Sequence, residues 1–313
     1  MSGAGDNRQA NRLPHRILIG SVIAVLLGAI AMFAYLRPRD LAPEVALARL
    51  PSDNAAVLSI DFAALRRGGI FEMLSGPVVE EEPEYKTFVE KTAFDYRRDL
   101  DRAFISFHSS GVYFLVRGRF DWKRLEAYAH EQGGGCVNGL CRMPGSVPER
   151  KISFFPIQSN LLAMAVSRDE SAATRMSERA KDARTIATLQ QPVWLSLPSS
   201  ALKKSDEFPT GTRLFAKAIE GAESATISLG PQGKAYEAQM DVVCRNPQEA
   251  SIVAEQFQKV TALLRTLIER EKQKPSPGDL SGVLTAGVFR QENTHVFGRW
   301  PLERAFIENL AGK

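Results

Sequence analysis

The sequence predicts an α+β protein in which a single N-terminal transmembrane helix precedes two similar lobes of mostly antiparallel sheet with helices packed on them. Three observations carry this prediction. Residues 17–36, ILIGSVIAVLLGAIAMFAYL, contain no charged side chain. Downstream, stretches of alternating apolar and polar residues are broken by Gly, Asn and Ser, the pattern of strands and hairpins. The order strand, helix, hairpin, helix, hairpin, helix then occurs twice.

Residues 1–16 read as a short cytoplasmic tail. A helix over 17–36 would be about 30 Å long, matching the hydrocarbon core of a bilayer, and Tyr35 falls where an aromatic ring suits the interface. A cleaved signal peptide would use Ala29-x-Ala31, but such apolar regions run about 7 to 15 residues and this one continues to Leu36. Arg8, Arg12 and Arg16 before the span, against Arg37, Arg39 and Arg49 after it, lean slightly toward a cytoplasmic N-terminus. The Pro-containing stretch 37–52 reads as a tether with a helical turn.

The first lobe is assigned to 53–187 and the second to 188–313, with the boundary falling between 184 and 192. In AAVLSIDFAAL, Leu58, Ile60 and Phe62 alternate with Ser59 and Asp61, which predicts a strand. GGIFEML and YKTFVEKTAF predict short helices on either side of an acidic run at 80–84, which lacks the Asp/Asn/Gly spacing of a calcium loop. RAFISFH and GVYFLVRGRF predict a hairpin around Ser109, Ser110 and Gly111. Asp121 caps a helix over WKRLEAYAHE, CVNGLCRM, KISFFPI and LLAMAVS are strands, and Asp169 opens a further helix.

In the second lobe PVWLSLPSSAL, TRLFAKAIEG and ESATISLGPQGKAYEAQMDVV repeat the strand, helix and hairpin. Asn246-Pro247 is a helix start, with Asn as cap and Pro in the first turn. Val253, Phe257, Val260, Leu264 and Leu267 form the apolar stripe that follows. GVLTAGVFRQENTHVFGRW and PLERAFIENL close the chain as a hairpin and a helix.

Composition excludes some functions. Forty Lys and Arg against 36 Asp and Glu give a net charge of only +4, with no basic run interleaved with aromatics, so no nucleic-acid footprint is present. The sequence contains no G-x-S-x-G, H-E-x-x-H, G-x-x-x-x-G-K or G-x-G-x-x-G, so hydrolase, zincin and nucleotide readings have no anchor. Ser200 and Lys203 form an S-x-x-K without the accompanying S-D-N or K-T-G. His15, His108, His130 and His295, and the carboxylates Asp61 and Asp241, show no spacing that makes a general acid or base. No catalytic residue, cofactor site or metal site is nominated.

The opening LPSDNAAVLSIDFAALR resembles uncharacterised, membrane-anchored extracytoplasmic bacterial proteins, in which a Leu-Pro-x-Asp turn precedes a strand ending in Asp-x-Ala-Ala-Leu. The resemblance covers the first seventeen residues of the soluble part and the anchor-plus-domain layout. It implies no activity.

GGGCVNGLC holds the sharpest chemical question. With His130, Cys136 and Cys141 would supply three zinc ligands, but the fourth is missing and the cysteine spacing is wide for a structural site. C-x-x-C, the usual redox spacing, is absent. Asn138-Gly139 is the preferred pair for a two-residue type I′ turn. That turn makes Val137 and Leu140 a hydrogen-bonded pair and sets Cys136 opposite Cys141 with Cα atoms about 4.5 Å apart, within disulfide reach. Such a bond belongs outside the cytoplasm, while Cys244 reads as a lone buried thiol.

The expected protein is therefore a single-pass component of the bacterial inner membrane, anchored in the lipid bilayer through 17–36 with its C-terminal body extracytoplasmic. Its expected role is interaction or scaffolding with a protein partner, more an assembly subunit than an enzyme. The alternatives are a binding module for a small ligand in the cleft between lobes, or an enzyme without a recognisable motif. Freshly isolated protein should leave Cys136 and Cys141 unlabelled by a maleimide until reductant is added; full labelling beforehand would refute the bond.

Overall fold

The apolar alternation of the sequence condenses into strands wherever β-branched and aromatic residues recur with period two. The computed structural model describes residues 41–75, 83–181, 183–186, 189–203, 212–233, 235–271 and 274–310. The predicted tail, the span 17–36 and the start of the tether lie outside these residues. Among the described residues, no helix is long and apolar enough to cross a membrane.

The first half contains α1 (Pro43–Leu47), β1 (Ala56–Asp61), α2 (Phe62–Arg67), α3 (Ile70–Ser75), α4 (Pro83–Thr92) and α5 (Tyr96–Asp99). It continues through β2 (Leu100–His108), β3 (Gly111–Gly118), α6 (Trp122–Glu131), β4 (Gly135–Val137), β5 (Leu140–Pro144), β6 (Lys151–Gln158) and β7 (Leu161–Ser167). The helix expected after Asp169 is a single 3-10 turn, Ala172–Met176. Asp169 precedes the turn, its Oδ1 accepting from the Ser171 amide at 2.8 Å, and the turn buries Ala172, Ala173 and Met176 while Thr174 and Arg175 stay exposed. The second half contains β8 (Val193–Pro198), α7 (Ser199–Leu202), α8 (Arg213–Ala218), β9 (Ser224–Gln232) and β10 (Ala235–Val243). It ends with α9 (Pro247–Arg270), α10 (Leu280–Thr285), β11 (Val288–Glu292), β12 (His295–Leu302) and α11 (Arg304–Leu310).

Twelve strands form one antiparallel sheet in the order β11-β12-β10-β9-β8-β1-β2-β3-β7-β6-β5-β4. Outward from the central β1–β8 pair, the order runs 1-2-3-7-6 one way and 8-9-10-12-11 the other. The two halves thus meet edge to edge, with Val57 opposite Ser196 and Ser59 opposite Trp194.

The two faces of β1 are covered unequally. Val57 and Ser59 are buried, whereas Leu58 and Ile60, the apolar set in the sequence, are only half-buried. The covering on the Val57 face comes from residues just before β1: Ala46, Leu47 and Leu50 are buried, and Ser106 donates to the Pro51 carbonyl. Asp61 ends the strand and caps α2, its Oδ1 accepting from the Ala64 amide at 2.7 Å.

On the opposite face, α9 supplies most of the second-half core. Asn246 caps it by accepting from Glu249 N at 2.9 Å, and Pro247 sits in its first turn. Val253 and Phe257 are buried, Val260 and Leu264 pack at the core margin, and Leu267 is 44% exposed, so the stripe outruns the sheet beneath it. Phe257 stacks on Phe289 with centroids 4.9 Å apart, and Trp300 meets Phe289 edge-on at 5.4 Å. In the first half, Leu125 and Ala129 of α6 pack on Cys141, Phe154 and Leu162.

A buried carboxylate fastens the start of β2 to the end of β3. Asp99 Oδ2 accepts from Arg98 Nη2 at 2.9 Å and from the Asp95 amide at 3.0 Å, while Oδ1 pairs with Arg119 Nη2 at 3.0 Å. Burial alone would raise its pKa; the Arg98, Asp95 and Arg119 contacts override this and hold it at about 2, below the ordinary 3.8. A depressed carboxylate pKa stabilises the fold above its unfolded value and loses that contribution as pH falls toward the folded one. Asp99→Asn should therefore destabilise the protein by about 2 kcal/mol near neutral pH, since both arginines can turn to water. In denaturant titrations the difference from wild type should persist above pH 4 and shrink as pH approaches 2; a difference that grows on acidification would contradict the assignment.

Candidate functional site

The two sides of the sheet present different chemistry near the β1–β8 junction. On the helical side, α6 covers β5, β6 and β7 while α9 covers β10 to β12. Between them lie Leu58 on β1, Ile105 and Phe107 on β2, and Val112 and Phe114 on β3. Their register is shared, with Leu58 opposite Ile105, Ile105 opposite Phe114, and Phe107 opposite Val112. Leu58, Ile105, Val112 and Phe114 are half-buried, and Phe107 is 48% exposed. The result is a flat apolar strip three strands wide.

The other side is polar where it continues into the second half. Two grooves of about 400 and 370 Å³ share Leu189 and Gln191, which cross above the sheet. The first is lined by Ser59, Asp61, Arg102 and Trp194; the second by Ser228, Gln239, Asp241 and Arg299. Gln191 Nε2 donates to Gln239 Oε1 at 3.3 Å, and Gln239 Nε2 donates to Glu237 Oε1 at 2.7 Å. The ionisable groups here are held in pairs. Arg102 bridges to Asp61, and His295 Nδ1 lies 2.8 Å from Asp241 Oδ1 with its ring stacked on Phe297 at 5.7 Å. Asp61 and Asp241, both weighed as acid–base candidates from sequence, thus have separate partners and do not converge.

The cysteine hairpin is formed. Cys136 and Cys141 are opposite one another and disulfide-bonded, with Cα atoms 4.0 Å apart. Asn138 (φ 52°) and Gly139 (φ 79°) supply the two left-handed residues that a type I′ turn requires. The bond packs into the cluster beneath α6, so it anchors the outermost hairpin of the sheet to Leu125 and Ala129. His130 is exposed, and no group of three metal-ligating side chains occurs among the described residues.

The remaining sequence candidates have structural partners. Ser200 Oγ donates to the Asn54 carbonyl at 3.3 Å, and Lys203 ends α7 with its amide on the Ser199 carbonyl. A four-residue lock at the β2–β3 turn has no counterpart among the motifs read from the sequence. There His108 Nδ1 accepts from the Ser110 amide at 3.1 Å and lies 2.7 Å from Ser110 Oγ. Tyr113 OH is 2.8 Å from the same oxygen, and Arg175 Nη1 donates to both hydroxyls at 2.8 and 2.9 Å. His-x-Ser-x-x-Tyr is readable in the sequence, but Arg175 arrives from the distant 3-10 turn.

No protein-family profile matches the chain, and no curated protein matches it. Among solved structures, crystal forms I, III and IV of TP0453 align at 10%, 8% and 9% identity, with TM-scores of 0.46, 0.45 and 0.44. The alignments cover 87%, 86% and 86% of this chain and 98%, 98% and 96% of those chains. At such TM-scores the likeness is too loose to carry an argument.

Cys244 is buried, and burial, with Glu249 and Glu223 nearby, pushes its thiol pKa above the ordinary value. The thiolate is the reactive form, so Cys244 should stay unmodified by maleimide at neutral pH in native protein and react promptly in denaturant. Rapid native-state labelling, followed by mass spectrometry, would contradict its burial.

Proposed function

We propose that the protein is a single-pass, membrane-anchored extracytoplasmic interaction subunit of the bacterial inner membrane, whose protein partner docks on the apolar strip of β1, β2 and β3. The observation that carries this reading is Phe107, 48% exposed amid half-buried Leu58, Ile105, Val112 and Phe114. Contiguous apolar surface of this kind marks interaction sites, and aromatic side chains dominate interface energetics. The uncharged stretch 17–36 supports the anchor, and the Cys136–Cys141 bond supports an oxidising compartment for the body.

A second reading, a binding module for a small polar ligand, is favoured by the paired grooves beneath Gln191, one of them lined by Gln239 and Ser228. Their carboxylates and guanidinium groups already pair with one another, so that reading ranks second. An enzyme without a recognisable motif ranks third.

Crosslinking in native membranes followed by mass spectrometry tests the first reading. A reproducible partner should be recovered, with crosslinks near β2 and β3. Phe107→Asp should cut its yield roughly tenfold or more, the size of an interface hot spot, while folding stability stays within about 0.5 kcal/mol as for a surface change. Recovery of no reproducible partner, or undiminished yield with Phe107→Asp, would overturn it.

A further inference from the structure

Residues 43–49 and the segment after the 3-10 turn form the two rims of a groove of about 430 Å³. Ala180 N donates to the Ala48 carbonyl at 2.9 Å and Arg184 N donates to Ser52 Oγ at 2.7 Å, which fixes the rims against each other. Three arginines line it: Arg49, Arg179 and Arg184. None of the three is in an ion pair among the described residues. Arg49 Nη1 is used on the carbonyls of Met176 and Ser177, and Arg184 Nη2 donates to Ser196 Oγ at 3.0 Å. The Nε of Arg49 and of Arg184 is nevertheless buried with no acceptor.

A buried guanidinium without a counter-charge is costly. Burial holds the Arg184 pKa below its ordinary value, opposed only by the more distant Asp53. The rest of the wall is mostly apolar, including Val45, Leu47, Ala183 and Ile186, with Glu44 and Thr185 as its other polar residues. The volume lies within the range of about 300–1,000 Å³ usual for small-molecule sites.

We infer that this groove binds an organic acid with an apolar body, its carboxylate received by Arg49, Arg179 and Arg184 and its carbon chain lying along Val45, Leu47 and Ile186. Guanidinium groups suit this role because their planar array of donors matches the two carboxylate oxygens. The partner class follows from the lining: three arginines call for an anion, and the apolar residues beside them call for a hydrocarbon body.

The test uses the full chain in nanodiscs of zwitterionic lipid, with octanoate as probe, by titration calorimetry against empty discs. Octanoate should bind, while octanol, which lacks the charge, and acetate, which lacks the chain, should each bind at least fivefold more weakly. Arg179 is exposed and its side chain makes no hydrogen bond or ion pair among the described residues, so Arg179→Glu should keep its unfolding midpoint and weaken octanoate at least fivefold; Arg184→Gln should act in the same direction. Octanoate heat no greater than that of empty discs, octanol or acetate binding within fivefold of octanoate, or a loss smaller than fivefold in Arg179→Glu would overturn the inference.

Discussion

The pairing of β1 with β8 is the constraint from which the rest of the architecture follows. Each half folds its strands outward from one of these two, and antiparallel hydrogen bonds between them convert two separate sheets into one. A strand at the middle of a twelve-stranded sheet has both of its edges hydrogen-bonded to neighbours. The residues before β1 fold back over its Val57 face, and on that face Ser59 is buried between its cross-strand neighbours Trp194 and Phe104.

The same junction separates the chemistry of the two faces. Helices are bound to the halves, not to the seam, so the helical side is thinnest where β1, β2 and β3 pass between α6 and α9. Apolar side chains needed for strand formation are left partly uncovered there. On the reverse side the seam is roofed by residues 43–52, 172–180 and the Leu189–Gln191 crossing, which leaves shallow grooves lined by polar and charged groups. The apolar strip and the polar grooves therefore lie on opposite sides of one strand pair.

Much of this was legible in the residues. Asn246-Pro247, Asp121 and Asn138-Gly139 are local signals whose geometry depends on neighbours within a few positions, and each appears as read. The α+β class and antiparallel strands follow from period-two alternation together with short turns. What the sequence did not disclose depends on long-range registry. Nothing in PVWLSLP states that Trp194 will lie beside Ser59, and nothing in AATRM states that Arg175 will reach Tyr113. The same holds for the three arginines of the groove: Arg49 lies far from Arg179 and Arg184 in the chain, and only the packing of α1 against the segment after the 3-10 turn makes them neighbours.

The position of β1 also bears on synthesis. Its β2 partner follows within a few turns of chain, but β8 is not made until the whole first half has been completed. At translation rates of about 5–20 residues per second, the β8-facing edge of β1 stays unpaired for roughly 7 to 27 seconds. During that interval the nascent first half offers open backbone donors and acceptors at Val57 and Ser59 to any passing strand. Whatever receives the chain as it emerges must shield that edge until its own second half arrives to close it.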